Sequence, residues 1–169
     1  MAEYTLKPIT EDEARQLVAW RYEPPYDIYN LDAAHTEDAV RYYLDPQYQI
    51  YGITDQDGIF IGFCSFGEDA RVGGGDYSEA LLDLGIGLNP SYTSRGLGPA
   101  IIQTMMSFAH QQFGATGFRA AIDESNLRSQ RAFAKVGFVP TQRFNASHNQ
   151  TPYVMMVLRS QKQNNPSNA

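Results

Sequence analysis

Asn89-Pro-Ser-Tyr-Thr-Ser-Arg-Gly-Leu-Gly-Pro-Ala100 decides how this chain folds. It follows an apolar run, Ala80-Leu-Leu-Asp-Leu-Gly-Ile-Gly-Leu88, that reads as a strand. After it, from about Pro99 to Phe113, Ile101, Ile102, Met105, Phe108 and Ala109 recur at helical spacing. The stretch is thus a strand-to-helix turn. Gly96 and Gly98 permit a sharp bend and a close backbone approach, and Pro99 suits a first helical turn, where its missing N–H is no loss. The free N–H groups of such a turn point at an anion, aided by the helix dipole, and Arg95 adds a charge-assisted donor. It is no Walker loop, because no Gly-Lys-Ser/Thr follows, and no dinucleotide fingerprint, because the three-glycine spacing is absent. Taken alone, it also fits a glycine-rich turn that binds nothing.

Working outward, Tyr4 to Ile9 reads as an opening strand, and Thr10 with Glu13 forms a capping box for a helix carrying Ala14, Leu17 and Val18. The paired prolines of Trp20-Arg-Tyr-Glu-Pro-Pro-Tyr-Asp-Ile-Tyr-Asn30 forbid a regular helix, which leaves an aromatic loop. Thr36 is expected to cap a second helix with Val40, Tyr43 and Leu44 on one face. Gln47 to Thr54 and Gly58 to Phe66 flank a hairpin signal, Asp55-Gln-Asp-Gly58. Glu68 to Tyr77, with three consecutive glycines, reads as a flexible loop. Phe118 to Asp123 is a strand, Ser125 is expected to cap a helix ending at Gly137, and strands around Phe138 to Arg143 and Pro152 to Arg159 close the chain. The order is βααβββαβαββ, an α+β arrangement with a mixed sheet rather than a doubly wound one.

Composition narrows the function classes. The 169 residues suit one domain, expected over 1–160 with a disordered polar tail at 161–169. Net charge is −6, and the absence of a Lys/Arg-rich run argues against nucleic acid or an anionic membrane as partner. The single cysteine, Cys64, excludes an intrachain disulfide and reads as a buried inert thiol; no metal site is expected. The N-terminal segment lacks the pattern of a signal peptide, and no run approaches a membrane span, so a cytoplasmic protein is expected.

Two segments together carry a family resemblance. Arg95-Gly-Leu-Gly98-Pro-Ala100 resembles the R/Q-x-x-G-x-G/A signature of the GNAT (GCN5-related N-acetyltransferase) superfamily, and Asn126-Leu-Arg-Ser-Gln-Arg-Ala-Phe-Ala-Lys-Val-Gly137-Phe138 is similar to that family's next helix. They occur in the family's order with a strand between them. The resemblance implies a GNAT fold, with a mostly antiparallel sheet of about seven strands flanked by helices and splayed between the fourth and fifth. It implies acetyl-coenzyme A as the cosubstrate and a primary amine of a small molecule or peptide as the acceptor, attacked directly with no acyl-enzyme. The backbone of Ile86 and Leu88 would pair with pantetheine, and Arg95, Gly96, Leu97, Gly98, Pro99 and Ala100 would hold the pyrophosphate. Asn126, Ser129 and Phe133 would complete the cofactor site, and Arg128 and Arg131 read either as contacts to its phosphates or as solvated surface arginines.

The same resemblance makes Asp83 the first candidate general base; a structural hydrogen bond at the sheet surface is the alternative, and Glu68, Asp69 and His148 are further candidates. Many relatives carry a tyrosine that protonates the departing thiolate where this chain has Phe133, so Tyr92 or Tyr153 is expected to substitute, unless the thiolate leaves unassisted. Trp20 to Asn30 would wall the acceptor site, with Tyr26 and Tyr29 as its contacts. A homodimer is left open. The alternative function is a non-catalytic acyl-coenzyme A-binding sensor, prompted by Phe133.

Overall fold

The computed structural model describes residues 3–160, so the tail read at 161–169 lies outside the described residues. The elements are β1 (Thr5–Pro8), α1 (Glu11–Val18), α2 (Thr36–Leu44), β2 (Ile50–Thr54), β3 (Phe60–Phe66), β4 (Leu82–Leu88), α3 (Gly98–Phe113), β5 (Phe118–Asp123), α4 (Leu127–Val136), β6 (Val139–Asn145) and β7 (Pro152–Leu158), joined in places by short 3-10 turns. This is the expected α+β order. One seven-stranded sheet runs β1-β2-β3-β4-β5-β7-β6. Every neighbouring pair is antiparallel except β4 with β5.

That exception shapes the molecule. β4 and β5 stay in register only at Leu82↔Phe118 and Asp83↔Arg119, after which β4 runs on to Leu88 and the sheet opens into a V. On its other edge β4 pairs with β3 from Leu84 to Leu88. Asn89 N–H donates to the Ile61 carbonyl, which makes Gly87–Phe63 and Gly85–Ser65 the hydrogen-bonded pairs of that ladder. The intervening residues Leu84, Ile86 and Leu88 therefore turn their backbone N–H and C=O groups toward the open V.

Helices cover both faces of the sheet. Ile101, Ile102 and Met105 of α3 and Phe133 of α4 pack on Leu84, Phe118 and Ile122, which forms the main core. Ala14, Leu17 and Val18 of α1 and Val40 of α2 bury Ile50 and Phe60 on the opposite face. Cys64 is fully buried, and its desolvation pushes the thiol's pKa well up, as suits an inert side chain. Among the described residues no helix is long and apolar enough to cross a membrane, and no cluster of three or more His, Cys, Asp or Glu side chains is arranged to hold a metal.

The capping box of α1 is formed: Glu13 N–H donates to Thr10 Oγ1 and Thr10 N–H to Glu13 Oε2. Two other caps differ from expectation. Thr36 does not cap α2; it is the helix's first residue, follows a 3-10 turn at Ala33–His35, and gives its hydroxyl proton to the Ala33 carbonyl. At α4 the cap is Asn126, whose Oδ1 accepts from Ser129 N–H, while Ser125 turns its hydroxyl onto Asp123. The glycine-rich loop is also pinned rather than loose. It begins with a 3-10 turn at Gly67–Ala70, Arg71 bonds to Asp83, and the Gly73 carbonyl accepts from Ser147 N–H.

Candidate active site

The V between β4 and β5 opens into a cavity of about 820 Å³ that reaches both faces of the sheet. Its floor is Leu84–Leu88 and Ala120–Asp123. Toward α3 and α4 it is walled by the turn from Tyr92 to Pro99 and by Asn126, Arg128, Ser129, Arg131, Phe133 and Lys135. Toward α1 and α2 it is walled by Trp20, Tyr22, Ile28–Leu31, Tyr43, Phe63, Ala70 and Val72.

The turn owes its shape to two glycines with different duties. Gly96 has φ of 74°, a left-handed conformation that side chains resist, and the space where a Cβ would stand is empty. Gly98 lies against α4, where a Cβ would stand 2.8 Å from Ala132 Cβ. Ser94, with φ of 59°, supplies a second left-handed residue. Ile101 N–H closes the first turn of α3 onto the Leu97 carbonyl. The N–H groups of Gly98 and Ala100 precede that first bond and have no helical partner, and Pro99 has none to offer. Arg128, Arg131 and Lys135 add positive charge beside them.

Most of the cofactor residues expected from sequence converge here. Ile86, Leu88, Gly96, Leu97, Gly98, Pro99, Asn126, Ser129 and Phe133 all line the cavity. Two do not. Arg95 is exposed, with its guanidinium 5.2 Å from the Tyr92 ring centre on the outer side of the turn. Ala100 packs back on the main core and presents its N–H alone. Phe133 is 1% exposed and meets Phe138 edge to face at 4.9 Å, so it is a packing residue that also touches the cavity.

The aromatic loop crosses the mouth of the V. Tyr22 gives its hydroxyl proton to the Leu88 carbonyl, and burial pushes its pKa up to about 12. Tyr29 lines the cavity and accepts from Asn126 Nδ2 at 3.1 Å; burial pushes its phenol to about 12 as well. Tyr26 departs from expectation. It lies outside the cavity lining, stacked under the Arg128 guanidinium at 3.5 Å, while Arg128 also donates to Ser94 Oγ. The cation on the α4 helix draws that ring away from the acceptor side.

Asp83 also lies elsewhere. It is 2% exposed, faces away from the cavity, and holds Arg119 at 2.6 Å and Arg71 at 2.8 Å. Glu68, Asp69 and His148 are likewise absent from the lining. The carboxylate that does line it is Asp123, at the C-terminal end of β5. Its Oδ1 accepts from Ser125 N–H at 2.9 Å and Ser125 Oγ at 2.6 Å, and among the described residues Oδ2 has no hydrogen-bond partner. Sequence reasoning missed Asp123 because it read Ser125 as the helix cap; an Asp two residues before a Ser and three before an Asn is the signal that was available. Tyr92 and Tyr153 both line the cavity, and Tyr153 sits opposite Asp123 on β7.

The sequence matches the acetyltransferase (GNAT) domain family over residues 4–139. No curated protein matches it. Among solved structures, the aminoglycoside acetyltransferase AAC(6')-Ib in complex with coenzyme A superposes with a TM-score of 0.73 at 19% identity, covering 94% of this chain and 96% of that one. A spermidine N-acetyltransferase chimera from Vibrio cholerae and hSSAT gives 0.70 at 13% identity over 96% and 99%. A GNAT-family acetyltransferase from Bacillus anthracis gives 0.68 at 14% identity over 94% and 96%. These likenesses concern the fold.

Proposed function

This chain belongs to the GNAT acetyltransferase family, and from that premise we propose that it transfers an acetyl group from acetyl-coenzyme A to the primary amine of a small molecule or peptide. The observation that carries this reading is the convergence of three features on one cavity. The edge of Ile86 and Leu88 that β5 leaves free, the left-handed turn at Gly96 and the free N–H groups opening α3 all face the same V. An extended amide-bearing arm fits the strand edge, and a pyrophosphate fits the turn, with Arg128, Arg131 and Lys135 balancing its charge.

Acetyl-coenzyme A supplies an activated thioester; the protein supplies position and proton traffic. Backbone N–H groups on the open edge of β4 are placed to polarise the thioester carbonyl. An alkyl ammonium, with an ordinary pKa of about 10.4, must lose a proton before its nitrogen can attack. Asp123 is the carboxylate in reach of the cavity, and we assign it that proton; Asp83, committed to two arginines, is assigned a structural role. As the N–C bond forms, the C–S bond breaks. Of the two protons the nitrogen gives up, one ends on the sulfur and one passes to solvent. Tyr92, which lines the cavity where Phe133 has no proton to offer, is the phenol assigned to the thiol side. Tyr29 and Asn126 close the mouth over the acceptor.

A thiol-release assay with acetyl-coenzyme A across a panel of amines, run alongside calorimetric coenzyme A binding, tests this reading. Turnover with any amine supports it. Binding without turnover across the panel favours the sensor reading that Phe133 prompts, and loss of neither binding nor turnover in Gly96→Glu removes the turn from the site.

A further inference from the structure

The cavity's two ends differ in chemistry, and that difference bears on the acceptor. On the α4 side, Arg128, Arg131 and Lys135 line it. On the α1–α2 side the wall is Leu17, Trp20, Tyr43, Phe63, Ala70 and Val72. Three of those rings form one surface: Trp20 lies 6.3 Å from Phe63, and Tyr43 meets Phe63 edge to face at 5.6 Å. They come from the loop, β3 and α2, so three separate elements converge to make the wall apolar. Among the described lining residues Asp123 is the one carboxylate, and there is no histidine.

The acids nearest this wall are turned away or used. Glu23 and Asp27 are exposed on the loop and do not line the cavity. Glu68 and Asp69 precede Ala70 yet stay out of it, and Asp83 is held by Arg71 and Arg119. The net charge of −6 is therefore carried outside the acceptor end. A polyamine or aminoglycoside entering here would place its second and third ammonium groups against hydrocarbon, with cations on the far side, and a buried charge without a partner is strongly disfavoured. A single ammonium meets Asp123, the one carboxylate of the lining, which can balance one charge and not three.

Resting on the acetyltransferase reading, we infer that the acceptor is a small monoamine whose single amino group is carried on an apolar or aromatic body, rather than a polycation. Trp20, Tyr43 and Phe63 hold that body, Ala70 and Val72 set the depth available to it, and the amino group points back toward Asp123 and the open edge of β4. The likeness to the aminoglycoside and spermidine acetyltransferases is one of backbone, at 19% and 13% identity.

The test is thiol release from acetyl-coenzyme A with phenethylamine, tyramine and isoamylamine, against spermidine and kanamycin, on the full chain. The expected result is a kcat/KM for the aromatic monoamines at least about tenfold above that for either polycation. Preference for spermidine or kanamycin overturns the inference while leaving the acetyltransferase reading intact. Turnover of none of them, with coenzyme A still bound in calorimetry, overturns the inference and leaves the acetyltransferase reading to the wider panel of amines. Val72→Asp provides the second arm, with folding checked by thermal unfolding in the presence of coenzyme A. The ratio of phenethylamine to spermidine turnover should fall roughly tenfold; an unchanged ratio in the folded variant means the wall does not contact the acceptor and overturns the inference.

Discussion

Arg119 grips both carboxylate oxygens of Asp83 across the last registered position of the β4–β5 pair, with Nε 2.6 Å from Oδ1 and Nη2 3.0 Å from Oδ2. Arg71 adds a bond to Oδ2 at 2.8 Å, and the Tyr77 ring lies 4.7 Å from the Arg119 guanidinium and 5.1 Å from that of Arg71. The other Arg119 donors reach the carbonyls of Glu79 and Leu81. No buried side-chain polar atom there is left without a hydrogen-bond partner, and Arg71 ties the glycine-rich loop to the sheet beneath it. Ala70 and Val72, the residues on either side of Arg71, are the ones that wall the cavity.

Asp83→Asn should therefore act on stability. Removing one partner of a buried pair leaves an uncompensated charge, here on an arginine that is 1% exposed, at a cost of about 3–5 kcal/mol. Urea unfolding should show that loss, and Asp83→Leu combined with Arg119→Met should recover much of it. The pH–rate profile of the folded Asp83→Asn protein should keep its shape. A variant of wild-type stability with a collapsed kcat would return Asp83 to the chemistry.

The two glycine positions separate conformation from contact. Gly96→Ala should cost about 1–2 kcal/mol in backbone strain, since φ is 74° there while the added methyl meets nothing. Gly96→Glu keeps that strain and adds a carboxylate where an anion is to bind, so coenzyme A affinity measured by calorimetry should fall far below that of the alanine variant. Gly98→Val should fail differently. Its side chain would press on Ala132 and part α3 from α4, which lowers the thermal unfolding midpoint together with cofactor affinity.

Much of this architecture was legible in the sequence because local chemistry dictates it. The turn at Gly96, the capping box at Thr10 and the period of α3 are set by residues within a few positions of one another, and each stands as read. The ion pairs of Asp83 are not legible, because its partners lie 12 and 36 residues away and only the register of β4 on β5 brings Arg119 beside it. The place of Tyr26 is illegible for a related reason: the cation that its ring lies against, Arg128, belongs to α4. Alternation along β4 correctly separates Asp83 from Leu84 and Ile86, but it cannot say which face meets a neighbouring arginine.

Alkaline pH should loosen the loop at the mouth of the V. The Tyr22 and Tyr29 phenols are pushed from about 10 to about 12, chiefly by burial, so the native state favours their protonated forms. A group raised in the folded state contributes its stability in full below its ordinary pKa and loses it as pH climbs toward the folded value. Urea midpoints should hold steady up to about pH 10 and fall between about pH 10 and 12. Tyr22→Phe should flatten that fall, because phenylalanine has no proton to lose, and it should also free the Leu88 carbonyl. Ultraviolet titration should show Tyr22 and Tyr29 ionising late, alongside Tyr43, Tyr51, Tyr77 and Tyr153, whose phenols burial also raises.

Asp123→Asn isolates the proton step. The substitution keeps an oxygen for the Ser125 N–H and hydroxyl, so the cap ahead of α4 and the placement of Asn126 survive it. What it removes is the basic carboxylate oxygen left without a protein partner. General-base catalysis is worth about 10²–10⁴-fold, so kcat should drop by that order while coenzyme A affinity and unfolding midpoint stay near wild type. Raising the pH should recover part of the lost rate, since a larger share of the amine then arrives already neutral. An Asp123→Asn enzyme with undiminished kcat would leave the deprotonation to solvent, with Asp123 serving Ser125 alone.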